Sequence, residues 1–290
     1  MSCMSDAPRL PRRRLLRVGL VGAGVVGAVA VSQRHLLELA AARAADAVSD
    51  QDRVVAARKK RGDIVKAAVA AVDVSWPPKA VFLRATKYAD TGTDNGVVEV
   101  WVGNDAHFKK GGAPLKLALS HPICALSGEV GPKRKEGDGQ IPEGFYSISA
   151  LNPKSSFHLS LRVDYPNASD RARGKALDAS ARLGGDIMVH GSCVTIGCIP
   201  IQDDQIEEVY LIVSEAIGKK QPVPIHIFPR PMTDAALSSL LASAERQAAP
   251  TTTAELWREL HAGWAAFESS HRVPQVRIDG GGRYVVVASA

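Results

Sequence analysis

The stretch Asp186-Ile-Met-Val-His190-Gly191-Ser-Cys193-Val-Thr195-Ile-Gly197-Cys198-Ile-Pro200-Ile201 decides the reading of this chain. An apolar run delivers a histidine beside a glycine. A second glycine precedes a cysteine eight positions after that histidine. The pattern predicts a strand leading into a turn, and a loop that folds back would return Cys198 to His190. A free thiol has a pKa of about 8.5, so little of it is thiolate at neutral pH. A histidine within hydrogen-bond reach can take the proton and hold the thiolate as an ion pair. Gly197 allows an unusual backbone conformation and exposes amide N–H groups beside the sulfur, where an acyl oxyanion could be held. The spacing alone leaves a plainer reading open, in which the cysteine is a small buried hydrophobe and the histidine is structural.

Outward from this stretch, short apolar runs read as strands. Val81-Phe82-Leu83-Arg84 and Val97-Val98-Glu99-Val100-Trp101-Val102 flank a turn at Thr91 to Gly96 and predict a β-hairpin. Leu115 to Leu119 alternates, residues 131 to 139 read as a loop, and Phe145 to Ile148 and Phe157 to Leu161 read as strands. On the last of these, His158 would face away from Phe157 and Leu159, into a cleft. Ile206, Val209, Tyr210, Val213 and Ile217 have helical spacing, and Pro224 to Phe228 is a late strand. Many short strands with few helices predict a mainly β domain with some α, an α+β fold, over residues 79–230. Residues 32–78 form a helical segment closed by Trp76-Pro77-Pro78. Residues 231–290 read as a helical appendage, with Leu256, Trp257, Leu260, Trp264 and Phe267 on one helix face and a last turn and strand at 279–287.

The formal charge of +6 is concentrated at the N-terminus. Arg9, Arg12, Arg13, Arg14 and Arg17 are opposed only by Asp6, and they precede the uncharged run Val18 to Val31. A basic cluster before a short apolar core has the form of an export signal, not of a nucleic-acid surface. The run is shorter than the roughly 20 residues a membrane span needs. Residues 1–31 are thus expected to be a signal peptide or membrane anchor, with a small-x-small site at Ala28-Val29-Ala30 and a twin-arginine-like Arg12-Arg13-Arg14. Periplasm or cell envelope follows as the compartment, by the Sec or twin-arginine route, with membrane contact only through the leader. Gly22-Ala-Gly24-Val-Val-Gly27 matches a dinucleotide fingerprint, but arginines precede it and no strand follows to close a βαβ unit.

The cysteines are Cys3, Cys124, Cys193 and Cys198. Loss of Cys3 with the leader leaves an odd number, which in an oxidising compartment means either a cysteine unpaired by accident or a working thiol. No C-x-x-C pair is present, so no structural zinc site is expected. Cys124 and Cys193 read as structural. A disulfide between them is open, and a Cys193–Cys198 bridge, which would silence the thiol, is the disfavoured alternative.

These residues resemble the active-site motif of the L,D-transpeptidase (YkuD-type) catalytic domains: HG, a spacer, then S/T-x-G-C. His190-Gly191 matches the first part and Thr195-Ile196-Gly197-Cys198 the second. Ile123 to Gly128, Gly131-Pro132-Lys133 with Gly137-Asp138, Pro142 to Tyr146, Ser156 to Ser160 and Asp164 to Asn167 are similar to the periplasmic murein-transpeptidase branch. The resemblance spans about residues 80 to 230. It implies a YkuD-like β-sandwich or barrel and a cysteine nucleophile without metal or cofactor. The implied substrates are peptidoglycan stem peptides, with a wall-attached protein as a further acceptor or substrate. It further implies that Cys198 attacks, that His190 is the base, that the Gly191 carbonyl orients the imidazole, and that amides near Gly197 and Cys198 hold the oxyanion. His158, Tyr165, Asn167, Lys133, Asp138 and Thr195 are the candidate substrate-binding residues. The sequence departs from the family pattern in three places. The spacer Ser192 to Val194 is short, Ile196 stands where many members have histidine, and Pro200 replaces a frequent arginine. The missing arginine removes a polar anchor, which brings in hydrolysis of the same bonds, or a non-catalytic wall-binding module, as competing readings.

Overall fold

The computed structural model describes residues 52–107, 111–180 and 182–287. The leader and the Gly22–Gly27 motif lie outside the described residues. Helix α1 (52–70) turns Ala57, Val65 and Val69 inward. Strands β1 (Ala80–Thr86) and β2 (Val97–Gly103) form the expected antiparallel hairpin, with Ala80 opposite Gly103 and Ala85 opposite Val98. Strand β3 (Lys116–Pro122) continues it. Then follow β4 (Gly144–Asn152), β5 (Ser160–Val163), α2 (Ala168–Leu177), β6 (Met188–His190), β7 (Ile199–Pro200), α3 (Asp203–Gly218) and β8 (Pro224–Phe228). Helices α4 (Asp234–Arg246) and α5 (Thr251–Ser270) and the hairpin β9 (Gln275–Ile278) and β10 (Tyr284–Val287) complete the described chain. The fold is mixed α+β.

Eight strands join in the order β3-β2-β1-β8-β4-β5-β6-β7. Strand β4 is shared: its first half, Gly144 to Ser147, pairs with β8, and its second half, from Ile148, pairs with β5 across a register shift. A long strand that changes partners at a bulge is how a sheet turns a corner. The two halves are continuous through β4, and β3 and β7 remain as edges.

Every residue of β1 and of β8 is buried, because the sheet is covered on both faces. Val81, Leu83 and Ala85 join the main core with α1 and α3, through Ile206, Val209 and Val213. Ala80 and Phe82 face the other way and meet Phe267 of α5 and Val273. Arg84 shares that second face. Its guanidinium lies 4.1 Å over the Trp264 ring, 2.6 Å from Glu99, and in contact with Glu268. Alternation within a strand sends successive side chains to opposite faces, so an uninterrupted buried strand needs a layer on each side. Residues 231–287 supply that second layer. They are also bonded in: Trp257 Nε1 donates to Glu143 Oε2 at 2.8 Å, and Lys87 Nζ meets Glu143 Oε1 at 3.0 Å and the Gly131 carbonyl at 2.7 Å. Glu143 and Lys87 are almost wholly buried, so each depends on the other's charge.

One expected strand is different. Residues 157–159 are turn and bend, and β5 starts only at Ser160. His158 has φ +67°, a left-handed conformation that ends any alternation there.

Candidate active site

Strand β6 pairs antiparallel with β5, setting His190 opposite Ser160. Strand β7 returns parallel to β6, with Ile199 beside Val189 and Pro200 beside His190. One step back along this register, Cys198 falls level with Met188. Cys198 itself lies in the bend just before β7, so the returning chain brings its turn back beside the end of β6 that carries His190. The loop between them is held at several points. Gly197 has φ +131°, and a Cβ there would come within 2.9 Å of the Gln140 carbonyl, so the position needs glycine. Thr195 Oγ1 donates to the Cys198 carbonyl at 2.8 Å and accepts from Gly197 N–H at 3.0 Å. Gly197 N–H, one of the amides expected to face an oxyanion, is spent on that hydroxyl. Cys124 and Cys193 form a disulfide with Cα atoms 5.4 Å apart, and among the described residues Cys198 is left as the free thiol.

His190 is buried, and the Phe157 ring lies over it at 4.8 Å. Its Nδ1 is 2.5 Å from the Gly191 carbonyl. A carbonyl only accepts, so Nδ1 carries the proton and Nε2 keeps its lone pair for the thiol. A Cβ on Gly191 would come within 2.5 Å of Asp203 Oδ1. That carboxylate oxygen accepts from Ser192 N–H at 2.8 Å.

Burial pushes the His190 pKa down, against the opposing pull of the Gly191 carbonyl. Burial pushes the Cys198 pKa up; the Met188 backbone N–H and Lys133 work against this, and the Asp186 charge adds to it. The thiol rests toward the Asp186 carbonyl at 3.6 Å. Both shifts disfavour the charged form. Desolvation of both groups thus works against the thiolate–imidazolium pair expected from the sequence.

The other candidate residues divide. Lys133 and Asp138 belong to the loop that carries Gln140 to Gly197. Lys133 Nζ meets Asp138 Oδ1 at 2.7 Å and the Lys135 carbonyl at 2.9 Å. Asp138 also accepts from the backbone N–H groups of Arg134, Lys135 and Gln140. Burial alone would raise its pKa, but these bonds bring the net shift below the usual carboxylate range. His158 does not line a cleft from a strand: its Nε2 lies 2.9 Å from Glu207 Oε1 of α3. Asn167 is the N-cap of α2. Its side chain accepts from Ser169 and Asp170 N–H and donates to the Phe145 carbonyl and Tyr284 hydroxyl. Tyr165 is buried and donates to the Leu183 carbonyl at 3.3 Å. Among these six, the hydrogen bonds tie only Thr195 directly to the Gly197–Cys198 turn, and Lys133 reaches Cys198 through its charge. Phe157 and Asp203 were not singled out from the sequence.

The chain is 35% identical over 182 residues to YafK of Escherichia coli (strain K12), which its name assigns provisionally to the L,D-transpeptidases. The match covers 62% of this chain and 68% of that protein. The chain belongs to the L,D-transpeptidase family. The YafK protein of Escherichia coli O157:H7 matches to the same extent. No protein-family model matches the chain. A looser likeness, TM-score 0.39 and 15% identity over 69% of this chain and 73% of the other, is to the helical cell shape determining protein Pgp2 of Campylobacter jejuni. For this L,D-transpeptidase family member, no described helix is long and apolar enough to cross a membrane.

Proposed function

We propose that this protein is an exported cysteine acyltransferase acting on peptidoglycan stem peptides, with Cys198 as nucleophile and His190 as base. The observation that supports the reading is the β6–β7 register, which brings the turn carrying Cys198 back beside His190, while the Gly191 carbonyl engages the imidazole at Nδ1. His190 Nε2 takes the thiol proton as Sγ attacks the carbonyl of an amide next to a D-centre. Because burial disfavours the charged form of both groups, proton transfer accompanies the attack in this reading. Collapse breaks the C–N bond, and the leaving amine takes the proton from His190. An acceptor amine then attacks the thioester, gives a proton to His190, and the returning sulfur recovers it. Lys133, held by Asp138, favours negative charge at the sulfur.

A specific observation also favours water as the final acceptor. Pro200 is buried in β7 beside His190, where the family pattern places an arginine, and Ile196 projects almost fully exposed beside the thiol. These two positions therefore offer an incoming amine neither the arginine nor the histidine of the family pattern. Incubation with defined tetrapeptide muropeptides and mass spectrometry separates the two. Exchanged or cross-linked products mean transfer, and a water-cleaved product alone means hydrolysis. Cys198→Ala is expected to abolish either product while the fold persists; undiminished turnover in that variant rejects the assignment.

A further inference from the structure

The carbonyl that orients His190 and the amide that Asp203 binds belong to one peptide group. Gly191 contributes the C=O, which accepts from His190 Nδ1 at 2.5 Å, and Ser192 contributes the N–H, which donates to Asp203 Oδ1 at 2.8 Å. The Gly191–Ser192 peptide thus sits between a carboxylate and an imidazole, bonded at both ends. Two features show a built arrangement. Ser192 holds φ +67°, a left-handed conformation uncommon outside glycine. Gly191 leaves room for the carboxylate, since a Cβ there would overlap Asp203 Oδ1 at 2.5 Å and press on Ile206 and the Phe157 carbonyl. Asp203 opens α3, while the N-cap residue Gln202 makes no side-chain capping bond, so the carboxylate is aimed at the loop.

We propose that Asp203 is a positioning residue for His190, acting through the Gly191–Ser192 peptide as the third group that a cysteine–histidine pair otherwise takes from a direct carboxylate contact. The proposal rests on Cys198 and His190 being the reacting pair. Its physical basis is polarisation along a hydrogen-bonded chain. A negative charge at the N–H end draws electron density toward the C=O end. The Gly191 oxygen then becomes a stronger acceptor, fixes the Nδ1–H tautomer, and makes Nε2 a stronger base. The same bond pins the ring's orientation by pinning the peptide plane. The other charged groups nearby are occupied. Asp204, next in the chain, is engaged by Lys60 and Arg61, Glu207 is paired with His158, and Asp186 and Lys133 act on the thiol side.

Asp203→Asn keeps an oxygen acceptor for Ser192 N–H and removes the charge. It is expected to lower kcat/KM at its plateau about tenfold, the effect of about one pKa unit in a base. The acid limb of the pH profile should move to lower pH, because a weaker base stays neutral further down. Asp203→Glu should recover part of the rate, and Asp204→Asn should leave rate and limb unchanged. Alkylation of Cys198 by iodoacetamide at pH 7 gives a substrate-free readout. A charge acting only through space would inhibit thiolate formation, so its removal would speed alkylation; action through the peptide and His190 predicts slower alkylation. Faster or unchanged alkylation, or an unmoved acid limb in Asp203→Asn, overturns the proposal. So does loss of cooperative unfolding in Asp203→Asn and Asp203→Ala alike, which assigns the carboxylate to stability. Activity that survives Cys198→Ala overturns the reading beneath it and is a separable result.

Discussion

The Cys124–Cys193 disulfide is the most measurable link between the fold and the site. It closes a loop of sequence separation 69, running from the end of β3 to the turn between His190 and Cys198. Chain entropy for a loop of that length gives about 15 cal/mol/K, or about 4 kcal/mol at 25 °C. A domain's total stability is only about 5–15 kcal/mol, so the bond accounts for a large share. The Cys124 end is firmly seated. Its own N–H donates to the Pro200 carbonyl at 3.0 Å, and the N–H of Ile123 donates to the Gly96 carbonyl at 2.9 Å. Restraint is therefore passed to the Cys193 end, in the catalytic turn. The double variant Cys124→Ala/Cys193→Ala is the proper perturbation, because a single one leaves a second thiol near Cys198. Urea unfolding with a slope of about 2 kcal/mol/M should show the midpoint falling by about 2 M. Oxidised wild type treated with reductant should fall toward the same value. Turnover at a temperature where both proteins are folded should fall too, as the turn loses its tether. A midpoint within about 0.3 M of wild type, well inside the expected change, would refute the reasoning.

Three further outcomes follow from buried groups. His226, packed between Phe82 and Phe145, has its pKa pulled to about 3, first by burial and then by the charges of Arg84 and His107. Its folded value lies below the ordinary 6.5, so its contribution to stability is complete above that pH and is lost as pH falls toward 3. Calorimetry at pH 7 and pH 4 should show His226→Phe losing roughly 3 kcal/mol less than wild type between them. Gly197→Ala forces a side chain into φ +131° against the Gln140 carbonyl; it should cost about 1–3 kcal/mol of strain and lower kcat about a hundredfold, read by thermal melts and steady-state kinetics. Trp257→Phe removes the donor to the buried Glu143 Oε2 and should lower stability by about 1–3 kcal/mol in urea titrations, with KM little changed.

The hairpin of β1 and β2 was legible because alternation and turn chemistry agree over both strands. Strand β8 was legible as a strand, but its central position is set by pairing with β1 and β4, distant in sequence. Helix α2 escaped notice because Ala168 to Leu177 carries no apolar stripe. It is held by the reciprocal Asn167–Asp170 cap and by Arg173 reaching Glu259 of α5 at 2.5 Å. Asn167 stood out through its resemblance to the family pattern; the cap and its bonds to Phe145 and Tyr284 come from tertiary packing. Phe157 to Leu161 imitates a strand in composition, and the turn at His158 comes with a hydrogen bond to Glu207 of α3 that no local pattern reveals. At the candidate site, Cys198 and His190 stood out from local spacing and family resemblance. The resting charge state was not, because burial comes from tertiary packing. Asp203 was visible only as an acid at a helix start, a common placement; its reach back to Ser192 is a product of the fold.

The double covering of β1 and β8 has a consequence for how such a protein can be altered. A catalytic unit cut after Phe228 would lose one of its walls, baring Phe82, Trp101, Phe145 and Phe228 to water together with the Arg84 guanidinium. An uncovered apolar surface of that kind invites association, and the sheet beneath it would lose its lining. Grafting this active site onto another scaffold therefore means carrying α4, α5 and the β9–β10 hairpin with it. New segments are better admitted at the largely exposed Thr91–Asp94 tip, where the chain already reverses at the surface. In evolutionary terms, the protein can acquire attachments at its rim far more readily than it can exchange its C-terminal fifth.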